Sequence, residues 1–317
     1  MTYIFQGPVR RIQDIGTLYS IAETLRGACL RSIDSQNLFQ RMESFLIGYH
    51  AILAAIGPEM IWVRARLCDA YNAPIFNNVN DLLYIQDWTK VQFGRANLAR
   101  NAAPYASSTE SVAAEEIGIE TGQRVQFVYV RPRQGVVVPC GVIGLYESHF
   151  ASGKSYMGSE QHIELLNHQS RNDKHHYGSS VFIDSFMTKE FRKICGTHHD
   201  YKLTAIYTNS MYGGGANGFI YPSVQSPWSL NLAVAAQLFD RFFEVTHTTV
   251  MRVRASAGFG LFKLQLEAQA HDFLEDGTIQ WDSLRRRRLE IREHRLTEPN
   301  YAPGWRKTMA TGDDPTT

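Results

Sequence analysis

Residues 213–218, Gly213-Gly214-Gly215-Ala216-Asn217-Gly218, carry the letters of the Gly-x-Gly-x-x-Gly fingerprint, and their surroundings decide what the chain does not fold into. That fingerprint has to follow a strand and open a helix, so that the helix N-terminus meets a phosphate. Here residues 201–212 come first, with Leu203, Ile206, Tyr207 and Met211 at helical spacing, and residues 219–224 follow with the character of a strand. The glycines are therefore a helix end and a turn, and a Rossmann domain is excluded.

The rest of the chain reads as helices and strands in mixed order. Residues 12–56 read as helical: Ile15, Leu18, Ile21 and Leu25, then Leu38, Met42, Phe45, Leu46, Tyr49 and Leu53, recur every three or four positions as one buried stripe. Gly57-Pro58 stops this section. Residues 60–67 alternate as a strand with Arg64 and Arg66 on one face. Two such arginines either sit at a solvent edge or point together into a cleft, because an arginine is rarely buried without a partner. Residues 72–84 form a polar, Asn-rich loop, and residues 125–130 and 136–145 read as strands. Residues 150–180 have the look of a long surface insertion, and residues 181–195 that of a helix. Asn231 then either fixes its loop or, the commoner job, caps a helix over 232–243. The Arg285–Arg288 run is broken by Glu290 and Glu293 at helical spacing, which predicts a solvated charged helix and then a disordered end. The division expected is an N-terminal helical appendage over 1–58, a core domain over 59–282 and a charged tail over 283–317.

Composition bounds the partners. A formal net charge of +1 in 317 residues offers no field to gather nucleic acid or an anionic membrane. The four cysteines are far apart and form no Cys-x-x-Cys pair, so a reducing, cytoplasmic setting is expected and a zinc knuckle is not. The first residues lack the apolar core of a signal peptide, and no stretch approaches a membrane span. His162, His168, His175, His176, His198 and His199 fall close together without metal-ligand spacing, so no metal is expected.

Chemistry concentrates in residues 93–117. Arg95 follows a glycine, where backbone approaches a ligand closely, and Asn97 supplies another donor. An Asn/Ala/Pro-rich bend leads to Tyr105, and a cap within residues 107–109 opens a short helix carrying Glu115 and Glu116. A cation, an aromatic ring and a carboxylate in this order suit a positively charged ring joined to a diphosphate. Packing offers a plainer account: a surface cation, a core ring and N-terminal charges on a helix. Further on, Tyr221-Pro222-Ser223 places a proline at a strand exit and a serine at its rim. No Gly-x-Ser-x-Gly elbow surrounds it, so a serine hydrolase is not expected.

Together these stretches resemble the RES-domain family. The resemblance is carried by Gly94-Arg95-Ala96-Asn97, Tyr105, Ala113-Ala114-Glu115-Glu116, Asn217-Gly218-Phe219-Ile220-Tyr221-Pro222-Ser223, Asn231-Leu232-Ala233 and Phe239, with an early Arg64-Ala65-Arg66 strand, and covers about residues 60 to 240. It implies an α+β, ADP-ribosyltransferase-like core of two small twisted sheets with flanking helices. It also implies an NAD+ glycohydrolase that breaks the nicotinamide–ribose bond, in many members the toxin of a toxin–antitoxin pair whose antitoxin covers the cleft. On that resemblance Glu116 would provide the catalytic negative charge. Arg64 and Arg95 would hold phosphate or ribose, Tyr105 would stack on nicotinamide, and Ser223 and Asn231 would border the bound dinucleotide. Glu115 competes with Glu116, Arg66 with Arg64 and Ser226 with Ser223. Transfer of ADP-ribose to a protein, a non-catalytic NAD-binding protein and a homo-oligomer stay open.

Overall fold

The computed structural model describes residues 3–4, 11–68, 75–154, 159–212, 214–225, 229–258, 260–282 and 291–294. Ser226, Arg285–Arg288 and Glu290 lie outside the described residues. The chain starts with β1 (Tyr3–Ile4), α1 (Ile15–Arg26), α2 (Ser35–Phe45), β2 (Ile52–Ile56), β3 (Trp62–Cys68) and α3 (Val79–Leu83). Then come β4 (Tyr105–Ser107), α4 (Glu110–Glu116), β5 (Arg124–Pro132), β6 (Val138–Val142), α5 (Leu145–Ser152), α6 (Glu160–Asn172) and α7 (Lys174–Phe191). The remainder is α8 (Lys202–Tyr212), β7 (Gly218–Pro222), β8 (Leu230–Ala233), α9 (Ala236–Phe242), β9 (Phe243–Gly258), β10 (Leu261–Ala270), β11 (Asp272–Phe273), β12 (Ile279–Gln280) and β13 (Ile291–His294).

The architecture is mixed α and β. Among the described residues, one eleven-stranded sheet runs in the order β1-β2-β6-β7-β8-β4-β3-β5-β9-β10-β13, beside a two-stranded ribbon of β11 and β12. The pairs are antiparallel apart from β6 with β7, which is parallel. Where two small sheets were expected, the strands form a single continuous ladder. The reason lies at β4: it pairs along its length with β8 but meets β3 only through Val63 and Ser107, a seam one pair wide. The apolar interior divides in the same place. A large cluster lies under the helices, and a smaller one holds Val63 and Ala65 of β3 with Ala113 and Ala114 of α4 and Val125 and Phe127 of β5.

Several expectations for local structure are corrected. Residues 52–56 are not helical; β2 pairs with β6, so its Ile52, Leu53 and Ile56 are buried on the sheet. The N-terminal helices keep most of their expected stripe, with Leu18, Leu25, Leu38, Met42 and Phe45 buried, although Ile15 is exposed. Phe45 meets the Phe186 ring of α7 at 5.1 Å, and these helices share the large core with α7 and α8. The N-terminal helices thus pack on the rest of the chain through this shared cluster. Residues 150–180 are not a surface insertion: they hold the end of α5, all of α6 and the first two turns of α7, whose later residues Ile183, Phe186 and Met187 are buried. Serines and glycines hid the helix there, because Ser179 and Ser180 are themselves buried against the packed face. Residues 79–83 of the expected loop form α3, capped by Asn78. Residues 291–294 pair with β10 as a strand, where a charged helix was expected. No described helix is long and apolar enough to cross a membrane.

Candidate functional site

The β3–β4 seam opens into a cleft of about 290 Å³, lined by Arg64, Arg95, Tyr105, Ser107, Glu116, Tyr201, Tyr221 and Asn231 among others. Five elements supply six of these side chains. Arg64 alternates out of β3; Tyr105 and Ser107 share a face of β4; Glu116 ends α4; Tyr221 and Asn231 come from β7 and β8. Thr109 caps α4 by accepting from the Val112 N–H at 3.3 Å, and Ala113 and Ala114 seat the helix closely on β3. Small residues in that turn allow the approach that carries Glu116 to the cleft.

Glu116 has one oxygen held and one open. Its Oε1 accepts from the Ser223 hydroxyl at 2.6 Å and from Asn231 Nδ2 at 2.7 Å, while among the described residues Oε2 takes no hydrogen bond. The residue is solvent-exposed at the mouth of the cleft. Glu115, its neighbour, turns the other way: a Cβ on Gly260 would lie 3.2 Å from the Glu115 carboxylate, in the turn between β9 and β10. Burial and the adjacent Glu116 raise the Glu115 carboxyl above its ordinary value, against a hydrogen bond from the Gly260 N–H that lowers it. Of the two glutamates, Glu116 faces the cleft.

Ser223 and Asn231 depart from the roles expected of them. Ser223 is only 2% exposed, behind the carboxylate and not at a rim, and its one hydroxyl proton goes to Glu116. It follows Pro222 directly out of β7, and its N–H still donates to the Ser229 carbonyl at 2.8 Å, which fixes the backbone from which its side chain turns inward. Asn231 caps no helix. It lies inside β8, opposite Ser107 of β4, and α9 starts five residues later at Ala236. Both residues act on the carboxylate.

Arg64 lies deep beside the seam. Its Nε donates to the Leu82 carbonyl at 2.8 Å and its Nη1 to the Tyr105 carbonyl at 2.8 Å. Burial, then the nearby Arg66, bring its pKa down to about 9, so it keeps its charge at neutral pH in a setting that disfavours charge. Arg66 makes a longer bond of 3.4 Å to Leu82 and does not line the cleft. Among the described residues no carboxylate is ion-paired with Arg64 or Arg95, which leaves two cleft-lining guanidinium groups able to receive an anion.

Arg95 stands on a built turn. The Gly94 N–H bonds to the Asn97 carbonyl at 3.1 Å, and the Asn97 N–H returns to Gly94 at 3.4 Å. Tyr105 locks this turn from β4: its hydroxyl accepts from the Ala96 N–H at 2.8 Å and donates to Asn97 Oδ1 at 2.7 Å. A Cβ at Gly94 would fall 2.2 Å from Asn97 Oδ1 and 2.8 Å from the Tyr105 hydroxyl, so glycine is required by that approach. Burial raises the Tyr105 phenol above its usual range. Arg95 Nη1 donates to the carbonyls of Phe191 and, at 3.3 Å, Lys193, and its guanidinium lies 5.2 Å over the Tyr201 ring. Gly-Arg-x-Asn is thus a pedestal for one cation, and the Tyr105 hydroxyl belongs to the pedestal.

Tyr201, Tyr221 and Ser107 were not singled out from sequence as site residues. Period-two spacing from Tyr105 along a strand points to Ser107; nothing local marks Tyr201, which arrives from the turn before α8. Among the described residues, no group of three or more His, Cys, Asp or Glu side chains is placed to hold a metal ion. His149 is buried between the Tyr177 hydroxyl at 2.7 Å and Asn167 at 3.2 Å, and His162 sits on the Leu53 carbonyl at 3.4 Å, so both serve packing. No protein-family model matches the chain, and no curated protein matches it.

Proposed function

We propose that this chain hydrolyses NAD+ at the bond between nicotinamide and ribose, using an ADP-ribosyltransferase-like core of the RES type. The observation that carries the reading is the half-held carboxylate: Glu116 Oε1 fixed by Ser223 and Asn231, Oε2 open, and Arg64 and Arg95 on the wall of the same cleft. In this reaction the C1′–N bond breaks with its electron pair going to the ring nitrogen, so a cationic pyridinium departs as neutral nicotinamide. Positive charge passes to the ribose, whose oxocarbenium-like centre is stabilised by a fixed negative charge nearby. Glu116 supplies that charge without a proton transfer in the bond-breaking step. Water then adds to C1′ and gives its proton to the carboxylate or to solvent, leaving ADP-ribose.

The two guanidinium groups hold the diphosphate, and orientation supplies much of the acceleration because the leaving group needs no acid. The aromatic walls, Tyr105, Tyr201 and Tyr221, suit a flat ring. On this reading, a protein that covers the cleft, such as an antitoxin, inhibits the enzyme. Incubating the pure protein with NAD+ and following nicotinamide tests the proposal; no release by the wild-type chain overturns it.

A further inference from the structure

The hydrogen bonds around Asn231 fix their own direction. Glu116 as a carboxylate has only acceptors, so the group 2.7 Å from its Oε1 is the Asn231 NH2. The other end of that amide, Oδ1, then lies 2.7 Å from Ser107 Oγ and can only accept, so the Ser107 hydroxyl donates. Reversing the amide would set its oxygen against the carboxylate, acceptor to acceptor. Both residues are enclosed, Ser107 at 4% exposure and Asn231 at 5%, which leaves bulk water little room to replace either partner. The contact also belongs to the sheet: Ser107 and Asn231 are direct cross-strand partners on β4 and β8, and the backbone bond from Ser108 to Leu230 at 2.9 Å sets their register.

We propose that Ser107 is a positioning residue of this site, anchoring the Asn231 amide so that its NH2 holds Glu116 and the open carboxylate oxygen is kept toward the cleft. Its effect on turnover rests on the NAD+ reading above; its effect on the amide does not. Although Ser107 lines the cleft, its proton is committed to Asn231, so it acts through the amide and carboxylate and does not donate to a ligand.

The test uses full-length protein with 15N-labelled asparagine and compares wild type, Ser107→Ala and Ser107→Thr. The Asn231 carboxamide signal is assigned by its loss in Asn231→Asp. In wild type and Ser107→Thr, which keeps the hydroxyl, the two Asn231 amide protons are expected as a slowly exchanging, well-separated pair. In Ser107→Ala the pair shifts and exchanges faster with solvent. In parallel, kcat for nicotinamide release falls about tenfold or more in Ser107→Ala while KM stays within about twofold, and Ser107→Thr restores it. Wild-type signals in a folded Ser107→Ala overturn the proposal, as does a folded Ser107→Thr that behaves like the alanine variant. If the wild-type protein releases no nicotinamide, the NAD+ reading fails, and the amide signals still decide the role of Ser107.

Discussion

Glu116 and Ser223 stand 107 positions apart in sequence and meet through a 2.6 Å hydrogen bond. The helix that carries the acid and the strand that delivers the serine reach the same point because β7 pairs with β8, and β8 with β4, at the seam of the sheet. That contact, extended by Asn231, turns an exposed carboxylate into an oriented one.

The pedestal under Arg95 predicts a specific cost for Tyr105→Phe. Removing the hydroxyl leaves the buried Ala96 N–H and Asn97 Oδ1 without their partner, and each unsatisfied group costs about 1–3 kcal/mol. Thermal unfolding should drop by several degrees and NAD+ should bind more weakly, since the turn presents Arg95. A variant with unchanged melting and unchanged affinity contradicts the locked turn.

Arg95→Ala should weaken NAD+ binding by about tenfold or more and lower turnover with it, as expected for a charge-assisted contact to phosphate. Equilibrium binding measured beside nicotinamide release checks this. Unaltered affinity counts against the phosphate role.

Arg64 donates to two separate carbonyls through a planar fork, which a lysine cannot reproduce. Arg64→Lys should therefore keep the charge but not the affinity, losing about tenfold in NAD+ binding. Full binding by the lysine variant would show that a point charge suffices.

Asp184 lies fully buried in α7, accepting the N–H groups of Gly144 at 2.8 Å and Glu147 at 3.0 Å at the start of α5. Burial outweighs those bonds and pushes its carboxyl up to about 7. The native state then holds the proton more tightly than the unfolded chain, where an aspartate titrates near 3.9. The group's contribution is most favourable below pH ~4, is lost progressively as pH rises toward ~7, and is flat above, amounting to on the order of 4 kcal/mol at most. Asp184→Asn should flatten the fall in urea stability between pH 5 and pH 8. An identical fall in both proteins contradicts the assignment.

Sequence exposed the parts of the site whose residue types are tied to a local pattern. Gly94 and Arg95 stand together because a turn needs the glycine, and Glu116 follows its cap at Thr109 by helical spacing. Which of two adjacent glutamates faces the cleft depended on how Ala113 and Ala114 seat the helix, a tertiary fact. Asn231 was misread as a cap because a polar residue before an apolar run suits either a helix start or a buried strand, and the partner that decides, Glu116, is 115 positions away. The strand β2 was missed since Ile52, Leu53 and Ile56 continue a helical spacing, while pairing with β6 overrides it. Tyr201 owes its place to the packing of α8 and to the Arg95 guanidinium, neither of which leaves a local mark.

Nicotinamide release by pure wild-type protein and by Glu116→Gln, each shown to be folded, tests the central claim most directly. Glutamine keeps an oxygen for Ser223 and Asn231 but removes the charge, so the account predicts release by the wild type and a loss of at least about a hundredfold in the variant, with NAD+ binding retained. Equal release by both proteins, or none from the wild type, would contradict it.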